Sequence, residues 1–440
     1  MQTYYNTLAS FLASKLTGEE VFLSTFSGED SDFIRFNQNA VRQAGRVEQR
    51  DFSLDLIRDK KHASGYTTLS GDRFEDERRL VALLKDLREK LPHLPDDPHL
   101  LYNTDLNSTE QHGENRLIPV EDMVDRIISA GQDRDLVGLL ASGGIYNGFA
   151  NSLGQRNWFT SYSFNFDWSL YHKADKAVKS GYAGFVWDND AFAVKMDNAS
   201  NQLAVLVHEP KTIPPGEYRV YLAPVALEDF AGMLARGGFS LKAQKTKQTP
   251  LIKMFEAGIR LSPQITIREN TKDGVSPNFQ GQGFLKPDSV TLIQDGQLAD
   301  ALVSPRSAKE FDIPANGASA WEMPESLDIS AGDIPQDEAA RRLEEGVFIN
   351  NLWYLNYSDR PGCRITGMTR FACFWVEKGK ISAPLNVMRF DETAYRALGE
   401  NLIGLTAERE MLLDPDTYHC RATSLSRVPG ALIDRFNFNL

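Results

Sequence analysis

From Trp158 to Leu170 the chain alternates without a break. Trp158, Thr160, Tyr162, Phe164, Phe166, Trp168 and Leu170 fall on one side, and Phe159, Ser161, Ser163, Asn165, Asp167 and Ser169 on the other. Successive side chains of a strand point to opposite faces, so this period of two predicts one long strand with an apolar and a mainly polar face. One polar face suits an antiparallel sheet; strands of a doubly wound parallel sheet are apolar on both faces. The aromatic face reads as core rather than as a ligand platform.

The flanking sequence supplies helices and further strands. Leu8, Phe11, Leu12 and Leu16 sit at helical spacing before Gly18. Val21 to Phe26 reads as a strand, Asp32 to Asn39 as a separate segment, and Phe52, Leu54 and Leu56 alternate beyond an interruption at Gly45. Arg35 and Asn37 read as a solvated strand face. A leucine stripe from Leu80 to Leu91 ends at Pro92, and Pro119 opens a helix carrying Met123 and Ile127. Gly143, Gly144 and Gly148 are expected to bracket short strands or tight turns, and Asn151 to Gly154 a turn. His93 and His99 lie in a proline-rich connection with no second ligand motif, so metal binding there is not expected. His208-Glu209-Pro210 reads as a strand end.

Pro214-Pro215-Gly216 reads as a linker between two halves. Tyr218 to Ala223 is a predicted strand, and Pro224 starts a helix through Leu234. Leu241 to Lys247 reads as a solvated basic loop. Ile265 to Glu269 is a further strand, and Asp295-Gly296 marks a hairpin. In the stretch Gly346 to Phe390, Val347 to Tyr354 and Phe371 to Val376 are predicted strands around the Pro361-Gly362 turn. Glu377 to Lys380 is a hairpin turn, with the return strand from Ile381 limited by Pro384. TLIQDGQL echoes FWVEKGKI, both strand, glycine turn, strand.

Composition narrows the function class. A length of 440 residues suggests two or three domains. A net charge of −12 disfavours a binder that tracks nucleic-acid phosphates. Cys363, Cys373 and Cys420 are too few and too scattered for a disulfide framework or a zinc knuckle, which fits a reducing cytoplasm. Neither a signal peptide nor a membrane span is expected. The expected fold class is α+β in two lobes on antiparallel sheets: an N-terminal helix-and-sheet domain over 1–210 and a β-rich domain over 217–440.

Several of these motifs, in this order, resemble the TldD/PmbA (TldD/TldE) family. The shared features are Gly346, Leu352-Trp353-Tyr354, Thr366-Gly367-Met368-Thr369-Arg370, and Glu377 to Ile381 with Pro384. The strand-and-arginine opening at Asp32 to Asn39, the Asn151-Ser152-Leu153-Gly154 turn and the Pro224 helix are similar to the family's pattern too. In the TldD branch that helix carries His-Glu-x-x-x-His, two imidazoles for zinc and a glutamate base. Counting from Pro224, those places fall near Gly232, Met233 and Gly237, none of which can bind zinc. The chain therefore looks like the zinc-free TldE/PmbA branch.

The resemblance implies a subunit that pairs with a TldD-type zinc chain, or with itself as a dimer, in a cytoplasmic protease acting on extended or unfolded peptides. It implies no metal or cofactor in this chain, with zinc only in the partner; the acidic charge and the lack of a long apolar run add the expectation of no direct nucleic-acid or membrane contact. Alternatives are a regulatory or scaffold protein of the gyrase-modulator type and a free-standing non-zinc hydrolase. The one candidate for a catalytic residue is Cys420, which falls where the TldD branch places a zinc cysteine; Arg421 replaces the glycine that follows there. On a strand, His419 and Cys420 would point to opposite faces and not activate each other. The aromatic hairpins around Trp353, Phe371, Phe374 and Trp375 are expected to hold core residues and to offer some to a dimer interface.

Overall fold

The computed structural model describes residues 1–173 and 176–439, so the expected end of the second domain, Leu440, lies outside the described residues. The fold is α+β, with one sheet in each lobe. The first lobe contains α1 (Gln2–Ala13), β1 (Val21–Asn37), β2 (Ala40–Arg58), β3 (Lys61–Thr68), α2 (Arg73–Lys90), β4 (Thr109–His112), α3 (Val120–Ala130), β5 (Asp135–Asn151), β6 (Arg156–Lys173), β7 (Lys176–Gly184) and α4 (Asn189–Leu206). Its strands run in the order β3–β2–β1–β5–β6–β4, with β7 also on β6.

The alternating stretch is β6, paired antiparallel with β5 and β7. Its aromatic face is core: Phe164, Phe166 and Leu170 are fully buried, and Trp158 and Trp168 nearly so. α1 and α2 pack around Trp158 and Phe26, while α3 and α4 cover Phe166 and Trp168.

Two glycine expectations are corrected. Val21–Asn37 is one strand that takes in the first expected segment and all of the second except Gln38 and Asn39, which form the turn to β2, and Gly45 lies within β2. Gly143 and Gly144 lie inside β5, not at turns. A Cβ on Gly143 would come within 2.2 Å of the Asp30 carbonyl oxygen, so glycine there permits the close approach of β1. His208 and Glu209 follow the end of α4 rather than a strand.

The second lobe contains β8 (Gly216–Leu222), α5 (Pro224–Gly238), α6 (Leu241–Lys245), α7 (Ile252–Glu256), β9 (Ile267–Glu269), β10 (Val290–Gln294), β11 (Gln297–Leu298), α8 (Pro305–Phe311), β12 (Ser326–Ile329), α9 (Ala339–Leu343), β13 (Gly346–Asp359), β14 (Arg364–Glu377), β15 (Lys380–Pro384), β16 (Arg389–Thr393), β17 (Leu402–Leu413) and β18 (Leu425–Phe438). The strand order is β11–β10–β9–β12–β18–β16–β14–β13–β8, and β8 returns to pair with β18. The sheets are not wholly antiparallel: β4 with β6, β12 with β18, and β13 with β8 are parallel pairs. The expected basic loop at Leu241 begins instead as α6, because the Ser240 hydroxyl accepts from the Ala243 amide and caps it.

The two similar hairpins share one turn chemistry. Asp295 and Gly296 have φ of 48° and 76°, Lys378 and Gly379 of 52° and 73°. Positive φ at both central residues is the two-residue turn whose twist matches paired strands.

The lobes share a core. Ala372 and Phe374 from β14 join the cluster of Phe164, Phe166, Trp168 and Phe192. Phe374 is fully buried and Trp375 is 6 % exposed, so both are core residues; Trp353 remains 44 % exposed. Each large apolar side chain buried in this seam contributes about 2 kcal/mol of transfer free energy. Among the described residues no helix is long and apolar enough to cross a membrane.

Candidate functional site

The polar face of β6 turns toward the second lobe and meets two environments. At Ser163 it is sealed. The Arg421 guanidinium, 5 % exposed, donates to the Ser163 hydroxyl at 2.7 Å and carbonyl at 3.0 Å, and to the Gly143 carbonyl at 3.3 Å. Burial pushes the Arg421 pKa down to about 10, with nearby Glu29 acting the other way. At Asn165 the contact is lighter, through its amide to the Leu413 carbonyl at 3.2 Å. At Asp167 the lobes part and a cleft opens.

The opposite wall of the cleft is α5. Pro224 sits in its first turn, and the Leu227 amide donates to the Ala223 carbonyl. Leu227, Phe230, Ala231 and Leu234 face the core of the second lobe. Val225, Glu228, Asp229, Gly232, Ala235 and Arg236 line the cleft. The three- and four-residue spacing of the second set is one helical face. The helix stops at a kink where Gly237 takes φ 81°.

The cavity has a volume of about 480 Å³. Tyr182 and Lys179 come from β7, Asn351, Leu352 and Trp353 from β13, and Phe371 from β14. A second cavity of about 420 Å³, lined by Arg35 and Asn37, shares Asp167, Lys179 and Phe371 with it, so the two make one trough. Arg35 and Asn37 thus edge the trough rather than an isolated strand face. At the mouth the Arg370 guanidinium lies 5.2 Å from the ring centres of both Trp353 and Phe371.

The charges in the cleft are unevenly matched. Lys179 pairs with Asp167 at 3.2 Å, and Glu325 pairs with Lys286 at 2.6 Å. Glu228 accepts only from the Ser426 hydroxyl at 3.3 Å, and neither it nor Asp229 has an ion pair among the described residues. Burial, reinforced by Glu228, pushes the Asp229 carboxyl up to about 7. Burial also raises Glu228, with Asp414 adding to it. Two adjacent carboxylates in a poorly solvated wall resist being charged together. They can hold a proton near neutrality or receive a cation.

The residues do not fit the zinc of the TldD branch. Gly232 lines the cavity with no side chain, Met233 is 4 % exposed within the core, and Gly237 forms the kink. Among the described residues no cluster of three or more His, Cys, Asp or Glu could hold a metal ion.

Cys420 stands apart from the cleft. It lies with His419 in the loop between β17 and β18, not on a strand, and it does not line the cavity. Burial, then Glu29, raises its thiol pKa, the opposite of what activates a nucleophile. The sequence reading missed Glu228, Asp229 and Asn351. The signal for the first two was there: apart from Arg236, they are the only charges on α5.

The profile of the PmbA/TldA metallopeptidase C-terminal domain matches residues 215–439. No curated protein matches the chain by sequence. Among solved structures, a proposed modulator of DNA gyrase from Thermotoga maritima is 13 % identical, with a TM-score of 0.76 over 99 % of this chain and 99 % of that one. TldE from Thermococcus kodakarensis is 13 % identical, with a TM-score of 0.76 over 99 % and 100 %. A proposed modulator of DNA gyrase from Bacteroides thetaiotaomicron is 14 % identical, with a TM-score of 0.76 over 99 % and 98 %. At these identities the likeness is one of fold.

Proposed function

The chain belongs to the PmbA/TldD family through its C-terminal half, and from that premise we propose that it is a zinc-free, TldE-like subunit of a cytoplasmic peptidase assembly. It pairs with a zinc-bearing relative and holds extended peptide for that partner. The observation that carries this reading is the cleft face of α5. The helix borders a trough between the lobes, yet offers Gly232 and the kink at Gly237 near two of the places where the TldD branch has ligands. A trough of this size suits a strand-like segment. Neither histidine nor cysteine lines it. The domains proposed for this work are 1–210 and 217–440.

Co-expression with a relative carrying His-Glu-x-x-x-His tests the proposal. The expected result is a co-purifying pair, zinc in the relative alone, and degradation of an unfolded polypeptide only by the pair. A chain that stays monomeric by light scattering with and without the relative would overturn it. So would peptide hydrolysis by this chain alone.

A further inference from the structure

We propose that the trough takes hold of peptides by a carboxylate, received by Arg35 and Arg42 at its β1–β2 end, with Arg370 at the mouth. This rests on the peptide-holding role above and adds a substrate class to it. Arg35 and Arg42 line the cavity of about 420 Å³, and neither has an ion pair within 4 Å among the described residues. The other arginines of β2 beside them are taken: Arg46 pairs with Asp30 and Arg50 with Glu48. Among the described residues the one acid lining this cavity is Asp167, already held by Lys179 at 3.2 Å.

The backbone brings the two arginines together. Arg35 pairs with Gln43 and Phe36 with Val41, so Arg42 is the extra residue of a β-bulge. A bulge re-aims a side chain out of the regular alternation, and the residue re-aimed here lines the same cavity as Arg35. Arg370 is fixed in another way. Its guanidinium lies 5.2 Å from the ring centres of both Trp353 and Phe371, and it has no ion pair among the described residues. A guanidinium stacked on aromatic faces keeps its N–H edge for a planar acceptor. Phe371 also lines the cavity, which sets this third cation beside it. The chain as a whole carries a charge of −12, which repels a polyanion. A small group of cations within that field suits a single carboxylate on a peptide rather than a run of phosphates.

The carboxylate comes from an acidic side chain or from a free C terminus, and three short unstructured probes separate the sources. One is blocked at both ends and contains glutamate. One has glutamine for glutamate and a free C terminus. One has glutamine and is blocked at both ends. Calorimetric titration of the intact chain is expected to show the first or second binding about fivefold tighter than the third, the scale of an exposed ion pair. The advantage should shrink with added salt and vanish in the double variant Arg35→Gln, Arg42→Gln. The double variant Arg35→Lys, Arg42→Lys should keep most of it, and Arg46→Gln all of it. Circular dichroism and melting curves check that each variant is folded.

Equal binding of all three probes would overturn the inference and leave the peptide-holding role standing. Binding of none would overturn both. A preference that persists in the double glutamine variant would place the carboxylate elsewhere, and one lost equally in Arg46→Gln would reduce it to the general field of the hairpin; either would overturn the inference.

Discussion

Asp76 and Asp229 are both carboxylates taken out of water, and they behave in opposite ways. Asp76 is fully buried at the start of α2 in the first lobe. It accepts from the Tyr4 hydroxyl at 2.5 Å, from the Ser70 amide and hydroxyl at 2.8 and 2.9 Å, and from the Gly71 amide at 3.0 Å. Burial pushes this carboxyl up, but those donors outweigh it, and the net shift is downward. Asp229 has one donor, the Leu352 amide, and its carboxyl rises to about 7 because burial and then Glu228 beside it outweigh that donor and the cations Lys179 and Arg236. Burial alone therefore does not distinguish a structural acid from one left open for use. The donor count does.

The largest effect should come from breaking the satisfied site. Asp76→Ala strands the Ser70 and Gly71 amides and the Tyr4 hydroxyl, and should cost about 3 kcal/mol in urea unfolding. A cost below about 1 kcal/mol would mean the cage is not structural. The same site gives a pH signature. Its folded pKa lies below the unfolded value of 3.8, so its stabilisation is present above that value and lost as pH falls through the folded one. Comparing Asp76→Asn with the parent chain should show the deficit narrowing below pH 3.8.

Asp229→Asn should act the other way. The folded pKa is raised from 3.8 to about 7, so the contribution of this group is present at low pH and lost as pH rises through 7. The variant and the parent should melt together at acid pH. At alkaline pH the variant should be more stable by about 1–3 kcal/mol, measured by calorimetry at each pH. A variant that is less stable than the parent above neutrality would show that Asp229 is held charged by the fold, like Asp76.

The smallest effect expected is that of zinc. Two carboxyl groups without a third ligand bind it weakly, so stoichiometric zinc should shift the melting temperature of the isolated chain by less than about 1 °C. Elemental analysis finding about one tightly held zinc per chain would end the comparison, because Asp229 would then be a ligand.

Much of the fold was legible because it is local. The period of two at Trp158–Leu170 fixes which side chains of β6 share a face. Asp295-Gly296 and Lys378-Gly379 demand positive φ and so specify their hairpins. Other features were hidden. α4 carries Phe192, Met196, Ala199 and Leu206 as its buried face, a stripe too thin to announce itself between Asn189, Asp197 and Asn201. α6 was masked by its lysines, since a short helix depends on the Ser240 cap more than on an apolar stripe.

By itself the sequence determined the class of the fold and the glycine hairpins at Asp295-Gly296 and Lys378-Gly379, because each follows from the chemistry of neighbouring residues. Only the tertiary structure decided that Gly143 permits contact with β1, that Arg421 seals the lobes at Ser163, and that Glu228, Asp229 and Asn351 line one cavity. Those relations join residues far apart in the chain. They depend on how the two sheets dock, and side-chain periodicity within one segment carries no information about what stands opposite it.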